Sequence, residues 1–250
     1  NFSHPLVCRQ IRNPNRLGTT MDKNTLASHF DHTVLHPTAT TAELKKGAEI
    51  AVENSVAAYC LKPYSVTEAK QWLADSDVRL CTVIGFPHGT SEIQAKVHEA
   101  GLAAKQGASE VDMVINPAKA IEGDWDYLKN EIADINFATV DNGAILKVIF
   151  ETGYLTDDQI KRLCEISSEV GVGFVKTSTG FGFVKNTEGQ MVSTGATVHH
   201  VRLMREYCSE EVKIKASGGI RTLSDAMDII DAGADRIGAS ATVEILAELS

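Results

Sequence analysis

After Met21, short apolar runs with strand character alternate with longer stretches in which apolar residues recur at helical spacing, and this continues to the end of the chain. Eight strands are predicted: HFDHTVL (29–35), VAAYCLK (56–62), VRLCTVIG (78–85), EVDMVIN (110–116), AILKVIF (144–150), GFVKTST (173–179), VKIKAS (212–217) and DRIGAS (235–240). Helices are predicted between them, among others over 41–54, 91–106, 125–140, 156–170 and 194–208. Alternating strands and helices imply a parallel sheet, because each crossover helix returns the chain to the same end. Eight units in about 220 residues fit an α/β fold of the closed (β/α)8 kind, a single TIM barrel. The alternative is an open doubly wound sheet, but no GxGxxG follows the first strand and no break in composition divides the chain. KQGASEVDMVIN and DAGADRIGAS repeat one unit of helix end, Gly-Ala, acid and strand, and SEVGVGFVKTS is a looser copy. The glycine of each is read as ending a helix in a left-handed turn.

Composition narrows the function. The chain has 250 residues, 43% of them hydrophobic, enough for a large core, and a net charge of −9. Such a balance excludes the broad basic face of a nucleic-acid or membrane-surface protein, so the expected partner is a small molecule. Cys8, Cys60, Cys81, Cys164 and Cys208 are widely spaced with no CxxC pair, which argues against a disulfide framework and against zinc. No apolar run approaches the ~18 residues of a membrane span. A cytoplasmic location is expected. Residues 1–20 hold three arginines and no acid. They read as an N-terminal extension, frayed or left over from cloning, or as the remnant of an organelle-targeting segment, with the barrel assigned to 21–250.

Chemistry enters with the lysines. A buried ammonium without a partner is costly, so strands normally exclude it. Yet Lys147, Lys176 and Lys215 all lie in predicted interior strands, and side chains alternate along a strand. If their faces point inward, these lysines and Asp112 converge on one cavity near the C-terminal strand ends, where barrels of this kind place their active sites. Lys213 lies near a strand start and is expected to reach solvent at the bottom. Cations crowded into one cavity suppress each other's protonation, which favours a neutral amine able to attack a carbonyl and form a Schiff base. Asp112 is the natural group to relay protons.

Glycine-containing turns supply a second element. STG (178–180), SGG (217–219) and GAS (238–240) follow three successive strands, and their backbone N–H groups can cradle a phosphate with help from the start of the last helix.

Taken in order and spacing, EVDMVIN, LKVIFETGYLT, FVKTSTGFG and VKIKASGGIRT, together with FDHTVLHP and FPHG, resemble deoxyribose-phosphate aldolase, a family of class I aldolases on a (β/α)8 barrel. The resemblance covers about residues 29 to 240. It implies the reversible cleavage of 2-deoxy-D-ribose 5-phosphate to acetaldehyde and D-glyceraldehyde 3-phosphate, with no metal and no other cofactor. Carried over by motif, Lys176 is the Schiff-base lysine, Lys215 the cation that lowers its pKa, Asp112 the relay acid and Lys147 the residue that orders the relay. The resemblance also implies that Asp31, Thr33 and Cys60 line the substrate pocket, and that Thr179, Gly180, Gly218, Gly219 and Ser240 lie at the phosphate. A homodimer or homotetramer is expected.

Three departures from the pattern stand out. Phe181 follows STG where some members carry a lysine, so phosphate binding is expected to rest on backbone amides or on Lys185. The chain stops at Ser250 without the C-terminal tyrosine of some members, and Ala241 follows GAS where a second serine can occur. His199 and His200 show no acidic residue at metal-ligand spacing and read as a solvated helix face. His36 and His88 read as loop-capping residues, and Cys60 as packing rather than a nucleophile. Two other functions remain open: a class I aldolase for another sugar phosphate, and a catalytically silent protein that binds sugar phosphates.

Overall fold

All eight predicted strands form, and they close on themselves. The computed structural model describes residues 21–249, so the expectations for residues 1–20 and for Cys8 lie outside the described residues. The strands are β1 (Phe30–Val34), β2 (Ala58–Leu61), β3 (Arg79–Ile84), β4 (Glu110–Val114), β5 (Ile145–Ile149), β6 (Phe174–Lys176), β7 (Phe183–Lys185), β8 (Met191–Ser193), β9 (Lys213–Ser217) and β10 (Arg236–Ala239). Eight of them make a closed parallel barrel in the order β1-β2-β3-β4-β5-β6-β9-β10, with β10 back beside β1. The fold is a (β/α)8 barrel.

The helices that wrap it are α1 (Lys23–Ala27), α2 (Thr41–Glu53), α3 (Val66–Trp72), α4 (Ile93–Gln106), α5 (Pro117–Glu122), α6 (Trp125–Val140), α7 (Asp157–Val170), α8 (Val198–Tyr207), α9 (Leu223–Asp231) and α10 (Thr242–Ala247). Their starts are written locally. Thr40 with Glu43, Thr156 with Gln159 and Thr222 with Asp225 form reciprocal caps that satisfy otherwise orphaned N–H groups. The glycine ending α7, Gly171, has a φ of 76°, the left-handed conformation that the repeated Gly unit predicts.

Alternation along the strands sorts side chains into two environments. Val111, Met113, Leu146, Val148, Val175, Ile214 and Ile237 join the main hydrophobic core with the helices. Their neighbours Glu110, Asp112, Lys147, Lys176, Lys215 and Arg236 are buried and linked to one another by ion pairs. The β2–β3 side of the interior differs: Ala58, Cys60, Cys81 and Val83 make a small separate apolar cluster with Leu35 and Phe86. The barrel is therefore charged on one side and apolar on the other.

Two local expectations are corrected. Residues 194–197 do not belong to the helix predicted from 194, because α8 begins at Val198 with Thr197 as its cap. The segment before it forms an antiparallel hairpin, β7–β8, that stands outside the barrel. Lys185 lies on this hairpin and is exposed.

Candidate active site

Asp112 sits at the centre of the charged side. Its Oδ2 accepts from Lys176 Nζ and from Lys215 Nζ, both at 2.8 Å, and its Oδ1 accepts from Lys147 Nζ at 3.0 Å. Strand register sets this up: Asp112 pairs with Lys147 across β4–β5, Lys176 with Lys215 across β6–β9, and Lys215 with Arg236 across β9–β10. Gly238 makes room for the Lys215 side chain, since a Cβ there would come within 3.2 Å of Lys215 Cε. The structure thus brings Asp112, Lys147, Lys176 and Lys215 together. Lys213, at the strand start, is exposed and lies 5.6 Å from the Phe174 ring centroid.

Asp31 belongs to the same cluster. It is fully buried and accepts from Lys147 at 3.3 Å, from Lys215 and from Arg236. Rather than a free wall of a pocket, it is a counter-ion in the barrel interior. Glu110 completes the set, paired with Lys147, Arg236 and Arg79. Neither Glu110 nor Arg236 was marked by sequence reasoning, because both read as the polar end of a repeated strand-start unit.

Electrostatics fix most of these groups in their charged forms. Burial disfavours ionised Asp31 and Asp112, but Lys147, Lys215 and Arg236 outweigh it at Asp31, and Lys147, Lys176 and Lys215 outweigh it at Asp112, so both carboxyls are held well below the usual range. Burial likewise works against protonated Lys147 and Lys215, and the carboxylates of Asp112 and Asp31 overcome it and push both upward. For Arg236 the same competition is won by Asp31 and Glu110. The carboxylates of Asp31, Glu110 and Asp112 are thus held by Lys147, Lys215 and Arg236, with Arg79 on Glu110 and Lys176 on Asp112.

Thr33 is half-buried on β1 and pairs in register with Cys60. Cys60 is buried beside Cys81; a hydrogen bond from Cys81 lowers its thiol, while burial pushes Cys81 up. All four cysteines among the described residues are free. A cavity of about 270 Å³ opens next to this apolar side, walled by Leu35, Lys62, Val83, Phe86 and Phe181. Phe181 reaches across the mouth to meet Phe86 edge-on, with centroids 5.5 Å apart. A wider groove, of about 540 Å³, lies on the outside between α4 and α6, and none of Lys147, Lys176 and Lys215 lines it.

The glycine turns meet as the strand order predicts. Gly180, Gly218 and Gly219 have φ of 82°, 86° and 83°, conformations that favour glycine. A Cβ on Gly218 would come within 3.0 Å of Gly195 Cα and 3.4 Å of Gly180 Cα, whereas one on Gly219 would meet nothing within 4 Å. Gly218 thus packs backbone against backbone, and Gly219 faces open space. Gly195, at the base of the hairpin, was not anticipated. Thr179 is buried, with its hydroxyl donating to Glu151, and Ser240 is exposed just before α10.

Among the described residues, three groups of potential metal ligands converge: Cys60 with Cys81 and Asp112, Asp31 with Cys81 and Glu110, and Asp157 with His199 and His200. The first two share the ion-paired carboxylates described above. The third lies on the exposed face of α8, as read for His199, and adds an acid there: His199 Nε2 lies 2.8 Å from Asp157. The acid comes from α7, a neighbouring helix, and no local spacing reveals it. His36 bonds Thr38 within its own loop at 2.8 Å. No helix among the described residues is long and apolar enough to cross a membrane.

Comparison with known proteins agrees with this geometry. The deoxyribose-phosphate aldolase of Caldanaerobacter subterraneus subsp. tengcongensis is 48% identical over 224 residues, covering 89% of this chain and 93% of that protein. That of Thermococcus kodakarensis is 43% identical over 228 residues, covering 90% and 97%. The solved tetrameric deoxyribose phosphate aldolase of Aeropyrum pernix superposes with a TM-score of 0.81 at 29% identity, covering 91% of this chain and 92% of that one. The model of the DeoC/LacD family aldolases matches residues 25–247, a span that contains every barrel strand and all of the charged cluster, and the chain belongs to that family.

Proposed function

We propose that this protein is a class I deoxyribose-phosphate aldolase, which reversibly cleaves 2-deoxy-D-ribose 5-phosphate to acetaldehyde and D-glyceraldehyde 3-phosphate through a Schiff base on Lys176. The observation that carries the reading is the bond of Lys176 Nζ to the same Asp112 oxygen that holds Lys215. Family membership and the named relatives support it.

The Lys176 amine attacks C1 of the open-chain sugar, and Asp112 takes the proton released. Returned to the carbinolamine hydroxyl, that proton lets water leave and gives the iminium. The C3 hydroxyl then passes its proton to Asp112 as the C2–C3 bond breaks, the electrons of that bond pass to the iminium, glyceraldehyde 3-phosphate departs, and Asp112 holds the proton that goes next to the enamine. Protonation of the enamine at C2 and hydrolysis release acetaldehyde and restore Lys176. Lys147 holds Asp112 in place from its other oxygen, and Lys215 keeps a fixed positive charge beside the reacting nitrogen.

The remaining assignments follow from position. The amides around Gly180 and Gly219 receive the phosphate, with Gly218 holding the turns together and Thr179 and Ser240 at their edges. Thr33 and Cys60 line the route to Lys176, and Asp31 serves the charge balance. The described residues, 21–249, form the single catalytic barrel, working in the cytoplasm. Self-association into a dimer or tetramer is supported by the tetrameric Aeropyrum pernix relative and by exposed Leu102, Phe137 and Val140 on the outer face of α4 and α6.

Incubation with acetaldehyde and borohydride tests the chemistry. A two-carbon adduct is expected on Lys176. An adduct on Lys147 or Lys215 overturns the roles, and no adduct favours a silent sugar-phosphate-binding protein.

A further inference from the structure

Glu151 lies two residues beyond the end of β5, and three unfavourable features meet there. Its backbone is left-handed, with φ 56° and ψ 59°, in a residue that has a Cβ. Such a conformation costs on the order of 1–3 kcal/mol and persists only where the surroundings enforce it. The residue is 2% exposed, so a carboxyl group is buried, and its Oε1 has no hydrogen-bond partner. Burial pushes this carboxyl up from the usual range.

What holds it there is the turn that follows Lys176. Glu151 Oε2 accepts from the Thr179 amide at 3.2 Å and from the Thr179 hydroxyl at 2.5 Å. The same hydroxyl accepts from the Phe181 amide at 3.0 Å, across left-handed Gly180. One carboxylate oxygen therefore sets both sides of the turn: the residue before Gly180 directly, and the residue after it through the hydroxyl. The neighbouring backbone is bonded as well, with Phe150 N to Lys176 O at 3.0 Å and Thr152 N to Thr177 O at 2.9 Å. Gly182 leaves space for the carboxyl, because a Cβ there would lie 3.0 Å from Glu151 Cδ.

We infer that Glu151 is a positioning residue for the aldol reaction: through Thr179 it fixes the turn that carries Lys176 at one end and the phosphate-facing amide of Gly180 at the other. The inference rests on the aldolase reading above. Its physical content is a distance held constant between the reacting carbon and the phosphate. Binding energy at a remote phosphate helps catalysis only if the two ends of the site are rigidly related.

The test uses Glu151→Gln, which keeps an acceptor for Thr179, Glu151→Met, which keeps bulk without one, and Thr179→Val, which breaks the same contact from the other side. Each is assayed on deoxyribose 5-phosphate and on unphosphorylated deoxyribose, and each is titrated with inorganic phosphate by calorimetry. Glu151→Met and Thr179→Val are expected to raise KM for the phosphorylated sugar ~10- to 100-fold and to weaken phosphate binding alongside. Turnover of deoxyribose by Glu151→Met should change by less than about threefold, and Glu151→Gln should stay within about fivefold of wild type on both. Equal losses on both sugars, or phosphate binding unchanged in Glu151→Met and Thr179→Val, overturn the inference. A wild type that neither cleaves the sugar nor forms the Lys176 adduct overturns the aldolase reading instead, and the phosphate titration still decides whether Glu151 sets the turn.

Discussion

Lys176 and Lys215 share an acceptor: each places its Nζ 2.8 Å from Asp112 Oδ2. Because Asp31 also binds Lys215, the two lysines differ in how firmly they are held: Lys215 pairs with two carboxylates and Lys176 with one. Lys215→Met removes the counter-ion that Asp31 and Asp112 share beside the Lys176 nitrogen. Activity on deoxyribose 5-phosphate is expected to fall about a hundredfold or more, carried mainly by kcat. Steady-state kinetics and a calorimetric titration with inorganic phosphate read this out. An unchanged kcat with weakened phosphate binding would instead make Lys215 a phosphate ligand.

Much of that cluster is legible in the sequence because strands alternate. Lysines at three interior strands, each flanked by valine, isoleucine or phenylalanine, have few places to go in a closed barrel, and Asp112 is the acid within reach. What is not legible is who balances whom. Asp31 looks like a pocket residue from its DHT motif, yet its partners Lys147, Lys215 and Arg236 come from the opposite part of the chain. Glu151 is hidden for another reason: its signature is a backbone angle, and no residue type announces a left-handed glutamate. The β7–β8 hairpin was missed because its strands are three residues each and largely exposed, with too short a pattern to show a period.

A second buried pair should matter for stability rather than chemistry. Lys96, on α4, donates to Glu131 at 2.7 Å and to the carbonyls of Gly89 and Val114, tying the loop after β3 to the end of β4. Both side chains of the ion pair are fully buried. Lys96→Met leaves Glu131 without its cation, and a loss of about 3–5 kcal/mol is expected from denaturant unfolding. The double variant Lys96→Met with Glu131→Gln should recover part of it, and the Lys176 adduct should still form in the folded fraction.

His32 gives the protein a predictable acid limit. It is buried behind β1, with Nδ1 3.0 Å from Thr242 Oγ1 and its ring stacked on Tyr59, and burial lowers its pKa from 6.5 to about 4. The folded state thus binds this proton less readily than the unfolded chain. Stability from His32 is complete above pH 6.5 and is lost as pH falls toward about 4, at up to about 1.4 kcal/mol per pH unit. Unfolding curves at pH 7 and pH 5 should show this difference in the wild type and a smaller one in His32→Gln. Identical pH slopes would mean that the histidine is not the titrating group.

The phosphate turns separate two explanations for how an acidic protein without the loop lysine of some relatives holds an anion. Lys185 is exposed on the hairpin, so Lys185→Ala should change KM for deoxyribose 5-phosphate by less than about threefold, the effect of a screened surface charge. The amides bind by geometry, and the place to disturb them is Gly219 rather than Gly218. A side chain at Gly218 would collide with the backbone of Gly195 and Gly180, and would report on the fold. At Gly219 a Cβ meets no protein atom within 4 Å, so Gly219→Ala adds only the left-handed strain, about 1–2 kcal/mol, and an obstacle in front of the anion. Its KM for the phosphorylated sugar is expected to rise at least about tenfold while deoxyribose turnover is spared, because remote binding energy is what the phosphate contributes. A large loss in Lys185→Ala with little in Gly219→Ala would place the anion on the hairpin instead.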